Sequence, residues 1–252
     1  MRRILKTFLL GAAIIQIAFA QNGDHTEGGR FVKKIEYNFL AINYYNTSGK
    51  NEIEKLFFGE YNAPIEFFYT DEYHGHFGFR IIKDSTGLSN SLVVNFIINY
   101  HDAVKEAEEM FPLKSTILAK FDSENDINLE QVIRHNKIMS AKRLEVLLTL
   151  YKIENRIFKL NNFFAEELRK KTVSLIDNFK AKGVPSFISG GEIFTFRVVV
   201  EDEVWSLWIH EPTGNALKMA ELCKQIITDA QANQLDEKNS LAILKTFDFE
   251  NK

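Results

Sequence analysis

A single cysteine, Cys223, stands in the whole chain, so no intramolecular disulfide can form. Small exported domains usually depend on disulfides, whereas a chain without them must be held by a large hydrophobic core. Beyond residue 20 no apolar run is long enough to cross a ~30 Å hydrocarbon layer. There is no excess of positive charge either. The formal net charge is −3, and nucleic acid needs a basic face to bind its phosphates. Catalytic signatures are also missing: no Gly-x-Ser-x-Gly elbow, His-Glu-x-x-His, P-loop, Cys-x-x-Cys or dinucleotide glycine fingerprint. The acidic pair Glu201/Glu203 falls at a hairpin turn, the wrong place for a glycosidase pair in a cleft.

What is present begins at the amino terminus. Arg2, Arg3 and Lys6 form a cationic start with no acid, and Phe8–Ala20 is apolar except for Gln16. The stretch ends Ala18-Phe19-Ala20, a small-x-small site, followed by the polar run Gln21-Asn22-Gly23-Asp24. Residues 1–20 therefore read as a cleaved secretory signal peptide. A retained anchor is the alternative, and no Cys at the cleavage position offers a lipid anchor. Cleavage would take three positive charges off the stated −3 and leave −6 on the mature chain. Hydrophobic residues at 45%, including 22 Phe, supply a core for residues 21–252 as one domain,. Export without disulfides points to a bacterial envelope, periplasmic or secreted. Asn46-Thr47-Ser48 is a formal glycosylation triplet of the kind that arises by chance.

The patterning predicts strands over 31–45, 65–69, 76–83 and 91–100, and a short helix over 51–58. A helix over 102–110 stops at Pro112, and 115–121 reads as a short strand or extended link. A helix over about 128–151 carries Leu129, Val132, Ile133, Leu144, Leu147, Leu148 and Tyr151 at helical spacing. Its stripe turns polar at Asn136 and Ser140, where it is either interrupted or faces solvent. The helix over 163–182 is the best specified. Asn162 caps it, Lys180 and Lys182 lie in its last turn, and Gly183 and Pro185 end it. Gly190-Gly191 then opens a hairpin that turns at Glu201-Asp202. A two-residue turn places Phe194, Phe196 and Val198 beside Ile209, Leu207 and Trp205 on one face. A final helix over 215–231, with Thr213 as cap, shows the stripe Ala216, Met219, Ala220, Cys223, Ile226, Ile227 and Ala230. Phe79-Arg80-Ile81-Ile82 and Phe196-Arg197-Val198-Val199 each begin a hairpin followed by a helix. This raises a hairpin–helix repeat over about 76–110 and 191–231, or else two hairpins sharing common β residues. Either way the class is α+β: antiparallel hairpins with segregated packing helices.

Two constellations could carry chemistry. His74 and His76, in Asp71-Glu72-Tyr73-His74-Gly75-His76, would project about 6.5 Å apart from one face of a strand, within reach of one divalent metal. Ordinary loop or packed histidines account for the same residues. Arg197, Trp208 and His210 share the other face of the last hairpin, where an aromatic beside a cation and an imidazole suits a sugar, carboxylate or peptide. If another layer covers that face, Trp208 is core and Arg197 pairs with an acid. Cys223, on an apolar helix stripe, is a poor nucleophile. Arg134, Lys137, Lys142 and Arg143 read as a solvated basic face.

The run Phe194–His210, leading into Asn215–Ala220, resembles exported proteins of unknown function from Bacteroidetes-type bacteria, and Gly78–Ile82 shares in the resemblance. It implies an envelope address and attaches no activity, cofactor or functional residue. The sequence thus supports an exported, non-catalytic binding protein for a protein, peptide or glycan, with no cofactor, contacting its ligand through Arg197, Trp208 and His210. An exported metal-assisted hydrolase using His74 and His76 is the alternative.

Overall fold

The computed structural model describes residues 50–84, 87–114, 129–179, 191–201 and 203–248, with the backbone of 32–37. The strands, in chain order, are β1 (Val32–Tyr37), β2 (Ile65–Asp71), β3 (Gly75–Lys83), β4 (Asn90–Ile97), β5 (Ile153–Leu160), β6 (Glu192–Val200) and β7 (Glu203–His210). The helices are α1 (Glu52–Phe58), α2 (Tyr100–Met110), α3 (Leu129–Leu150), α4 (Asn162–Asn178), α5 (Gly214–Gln231) and α6 (Glu237–Leu244). One sheet holds all seven strands in the order β1-β7-β6-β2-β3-β4-β5. It is antiparallel throughout except for the parallel pair β1–β7. The class is α+β.

Alternation sorts the side chains. Ile65, Phe67 and Tyr69 of β2 face the larger core with Phe79, Ile81, Leu92, Val94, Phe194, Phe196, Val198, Leu207 and Ile209. The stripes of α4 and α5, together with Leu244 of α6, cover that face. The opposite face carries Phe68 and Ile97 under Phe57 and Phe58 of α1, with Tyr100 and Tyr151 packed beside them. The α5 stripe is buried at every position from Ala216 to Ala230 that the periodicity marks. The last hairpin has the predicted register, with Phe194 opposite Ile209, Phe196 opposite Leu207 and Val198 opposite Trp205. Glu201 takes the left-handed φ of 53° that its two-residue turn requires,.

Several expectations are corrected. The patterning does not predict strand β5 or helix α6. The cap of α4 is Asn161, whose side chain accepts from Phe163 N–H, and the helix spans Asn162–Asn178, while Lys180, Lys182, Gly183 and Pro185 lie outside the described residues. β4 stops at Ile97, and α2 starts at Tyr100. Thr213 sits at the cap of α5 but makes no side-chain cap bond. α3 is continuous, and of its apolar stripe only Val132 is buried, while Ile133 and Leu144 are exposed. Asn136 faces outward and binds both the N–H and the C=O of Lys114. The signal segment 1–20, residues 38–45 of the first predicted strand and the link 115–121 lie outside the described residues.

Candidate functional site

The second face of the sheet holds a charged cluster that begins with one residue. Glu66 is the second residue of β2, inside its apolar run Ile65–Tyr69, opposite Arg80 on β3 and opposite Arg197 on β6. It is 1% exposed. Its Oε2 accepts from Arg197 Nη1 at 3.1 Å, and its Oε1 accepts from Lys50 Nζ at 2.9 Å and Ala63 N–H at 3.0 Å. Arg197 also reaches Glu54 Oε2 at 3.3 Å. Glu54 is held by a capping box at the start of α1, in which Asn51 accepts from Ile53 and Glu54 N–H and Glu54 accepts from Asn51 N–H,. Lys50 spends its other protons on the carbonyls of Gly59 and Tyr61. Burial pushes its ammonium pKa down against the pull of Glu66,. Arg80 Nη1 donates to Phe58 C=O, while Arg80 Nε and Glu54 Oε1 are buried without a partner.

Three cations and two carboxylates thus fasten α1 and the 59–64 loop to three strands. Of the two outcomes open for the hairpin face, Arg197 follows the second: it is 5% exposed and paired with acids. Trp208 and His210 are half-buried on the same face, opposite Thr195 and Ile193. The His210 ring lies close over Gly191, where an added Cβ would fall 3.2 Å from Nε2.

The two candidate histidines part company. His74 lies exposed in the β2–β3 turn with its Nδ1 2.7 Å from Asp71 Oδ2. Asp71 also accepts from the N–H groups of Tyr73 and His74. Burial opposes ionisation there, but these bonds hold the carboxyl below its usual range. His76 is buried, stacked on Phe68 and edge-on to Tyr100 and Tyr151, with Nδ1 3.0 Å from Thr70 Oγ1. Burial lowers its pKa to about 4. Among the described residues no three His, Cys, Asp or Glu side chains converge as a metal requires. Cys223 is buried in the core, which pushes its thiol pKa far up. On α3, Arg143 turns back to Phe111 C=O and Glu108, and Arg134, Lys137 and Lys142 are exposed.

The cluster shapes a groove. Where β2 begins, β3 and β6 end and α4 starts, a cavity of about 580 Å³ opens to solvent. Ile65, Ile81 and Ala165 form its buried floor. Its rim carries Lys83 and Arg169, Glu166 and Glu201, and the amides of Asn62, Asn90 and Asn162. One wall is set by the ionic cluster through Ala63 N–H on Glu66, and by Pro64 C=O accepting from Val199 N–H. The other is fixed by Arg169 Nη2 on Val199 C=O at 3.0 Å and by Asn162, which accepts from Asn90 and donates to Leu88 C=O. Of the rim residues the sequence marks only Glu201, as a turn residue, and Asn162, as a helix cap, and neither as part of a site. The one legible signal was Glu66, a charge inside an apolar strand.

The fold and groove define an α+β chain with a solvent-open, polar-rimmed cleft. No family model matches it, and no curated protein or solved structure does either.

Proposed function

We propose that this chain is an exported, non-catalytic binding protein that takes a short zwitterionic peptide in the groove beside α4. The groove itself carries the reading. An apolar floor suits a side chain, amides suit a peptide backbone, and rim charges of both signs suit a free amine and a free carboxylate. The contact surface thereby moves from the Arg197–Trp208–His210 face to the rim where β2 begins and β3 and β6 end. The amino-terminal pattern of residues 1–20 supports export, and export of a core held without disulfides leans toward a bacterial envelope, periplasmic or secreted. The resemblance of the last hairpin to exported Bacteroidetes-type proteins supports the same address. Among the described residues no helix is long and apolar enough to cross a membrane.

Two measurements test it. Protein expressed with its own leader should be recovered outside the cytoplasm with Gln21 as its first residue; an intact Met1 on the recovered chain defeats the export reading. Trialanine titrated into the labelled protein should shift the amide signals of Lys83, Asn162 and Arg169 saturably. Its N-acetylated, C-amidated form should bind at least fivefold more weakly, as should Arg169→Ala. Signals that stay fixed at millimolar trialanine rule out the groove as a peptide site.

A further inference from the structure

We propose that the β5 edge of the sheet is an interface for a second copy of this chain, paired antiparallel about a two-fold axis at Asn155. Among the described residues β5 has a neighbour, β4, on one side only. Natural edges are blunted by brevity, proline, bulges or charged side chains, and β5 carries Glu154, Arg156 and Lys159,. β5 is eight residues long, contains no proline, and keeps unbroken register with β4 from Asn90–Leu160 to Ile97–Ile153. In its middle Ile157 is 66% exposed, and Asn155 and Lys159 on the same face are exposed too.

The occupant follows from the order of residues. A two-fold axis normal to the sheet pairs residues of equal face only, so it must be centred on a residue. Centred on Asn155, it sets Ile153 opposite Ile157 twice and Glu154 opposite Arg156 twice, with Asn155 opposite itself. Centred on Arg156, it would oppose two guanidinium groups. Glu154 and Arg156 pair within one chain at 2.7 Å, and across this axis each pair is shared with its counterpart. The charges therefore disfavour a neutral strand and accept their own sequence. Asn155 gives one amide proton to Asn95 Oδ1 at 2.8 Å, and an amide has a second N–H and an acceptor for its twin.

Space allows the pairing. α5 contacts β3 and β5, and its carboxyl end is held at Arg156 of β5 through the carbonyls of Ala230 and Gln231, so only that end comes near a two-fold axis half a strand spacing outside β5. On the other face the exposed Asn155, Ile157 and Lys159 leave room for the partner strand.

The test reads both association and register. Sedimentation of the purified protein should give a concentration-dependent dimer, and Ile157→Lys, at an exposed site, should weaken it at least tenfold with an unchanged circular dichroism spectrum. Under mild oxidation Asn155→Cys should form a covalent dimer, because paired Cα atoms lie about 4.5–5.5 Å apart, within disulfide reach. Ile157→Cys should not, since the pairing separates the two copies of residue 157 by about 13 Å along the strands. The buried Cys223 contributes no background. A monomer at every concentration overturns the proposal. So does cross-linking of Ile157→Cys as fast as Asn155→Cys, which would mean another register or random collision.

Discussion

His76 stands among rings that offer its charge nothing. Phe68 stacks on it at 6.0 Å, Tyr100 and Tyr151 meet it edge-on, and Thr70 takes one nitrogen. The neutral imidazole is the form this site holds, which is why its pKa falls to about 4 from an ordinary 6.5. Between those values the unfolded chain binds the extra proton and the folded one does not. Stability is therefore full above about pH 6.5 and declines as pH falls toward 4, by up to roughly 3 kcal/mol. Urea unfolding of the wild type and His76→Phe across pH 4–7 should show that slope shrinking in the variant. An equal slope in both would assign the acid sensitivity elsewhere. Arg197 makes a second residue-scale case. Arg197→Ala leaves Glu54 and Glu66 buried with one fewer cation, and urea unfolding should register a loss of about 3–5 kcal/mol. A loss under 1 kcal/mol would mean that water or relaxation reaches the cluster.

At the scale of elements, α1 is a short helix that survives because other parts hold it. Seven residues are too few to persist alone,. Its capping box, the ion pairs from Lys50 and Arg197, and the close seat of Phe58 on β3 supply what length does not. That seat depends on Gly78. A Cβ there would lie 2.7 Å from Phe58 Cζ and 2.9 Å from the Phe67 carbonyl oxygen, a backbone atom of β2 that cannot swing aside. Gly78→Ala should cost about 1–3 kcal/mol and speed hydrogen exchange in α1 more than in α5. Equal changes in both helices would refute the local reading. Elements also show where periodicity misleads. The α3 stripe has helical spacing yet is largely exposed, because that helix rests on α2 and on the edge of α1 instead of lying across the sheet. β5 escaped notice because Glu154, Asn155 and Arg156 make it look polar, whereas its register with β4 uses Phe158 and Leu160 for the core and sends Arg156 to cap the α5 carboxyl end at Ala230 and Gln231.

For the whole molecule, β2 is the strand on which both hairpins lean. Phe67 lies between Phe79 and Phe196, and Glu66 between Arg80 and Arg197. The two similar tetrapeptides thus meet one shared apolar neighbour and one shared acid, and that common environment asks for the same residues in both. Losing either half strips β2 of a partner, so unfolding should be a single transition. Trp205 and Trp208 on β7 report one end of the sheet, while far-ultraviolet dichroism reports all helices. Their urea midpoints should coincide, and a fluorescence change well ahead of the dichroism would show the β6–β7 end melting on its own.

Local periodicity encodes the faces of β6 and β7 and the length of their turn, the buried stripe of α5, the inert position of Cys223 and the α+β class. Those follow from 2.0- and 3.6-residue repeats that bury one side of an element wherever it lands. Which strand lies beside which is settled by packing in three dimensions. That packing brought Glu66 to Arg197, 131 residues away, hid that arginine, gathered the groove from four strand ends and one helix, and left β5 on an edge. None of these has a local signature, because an ion pair or a cleft costs or stabilises only through neighbours that chain order does not name.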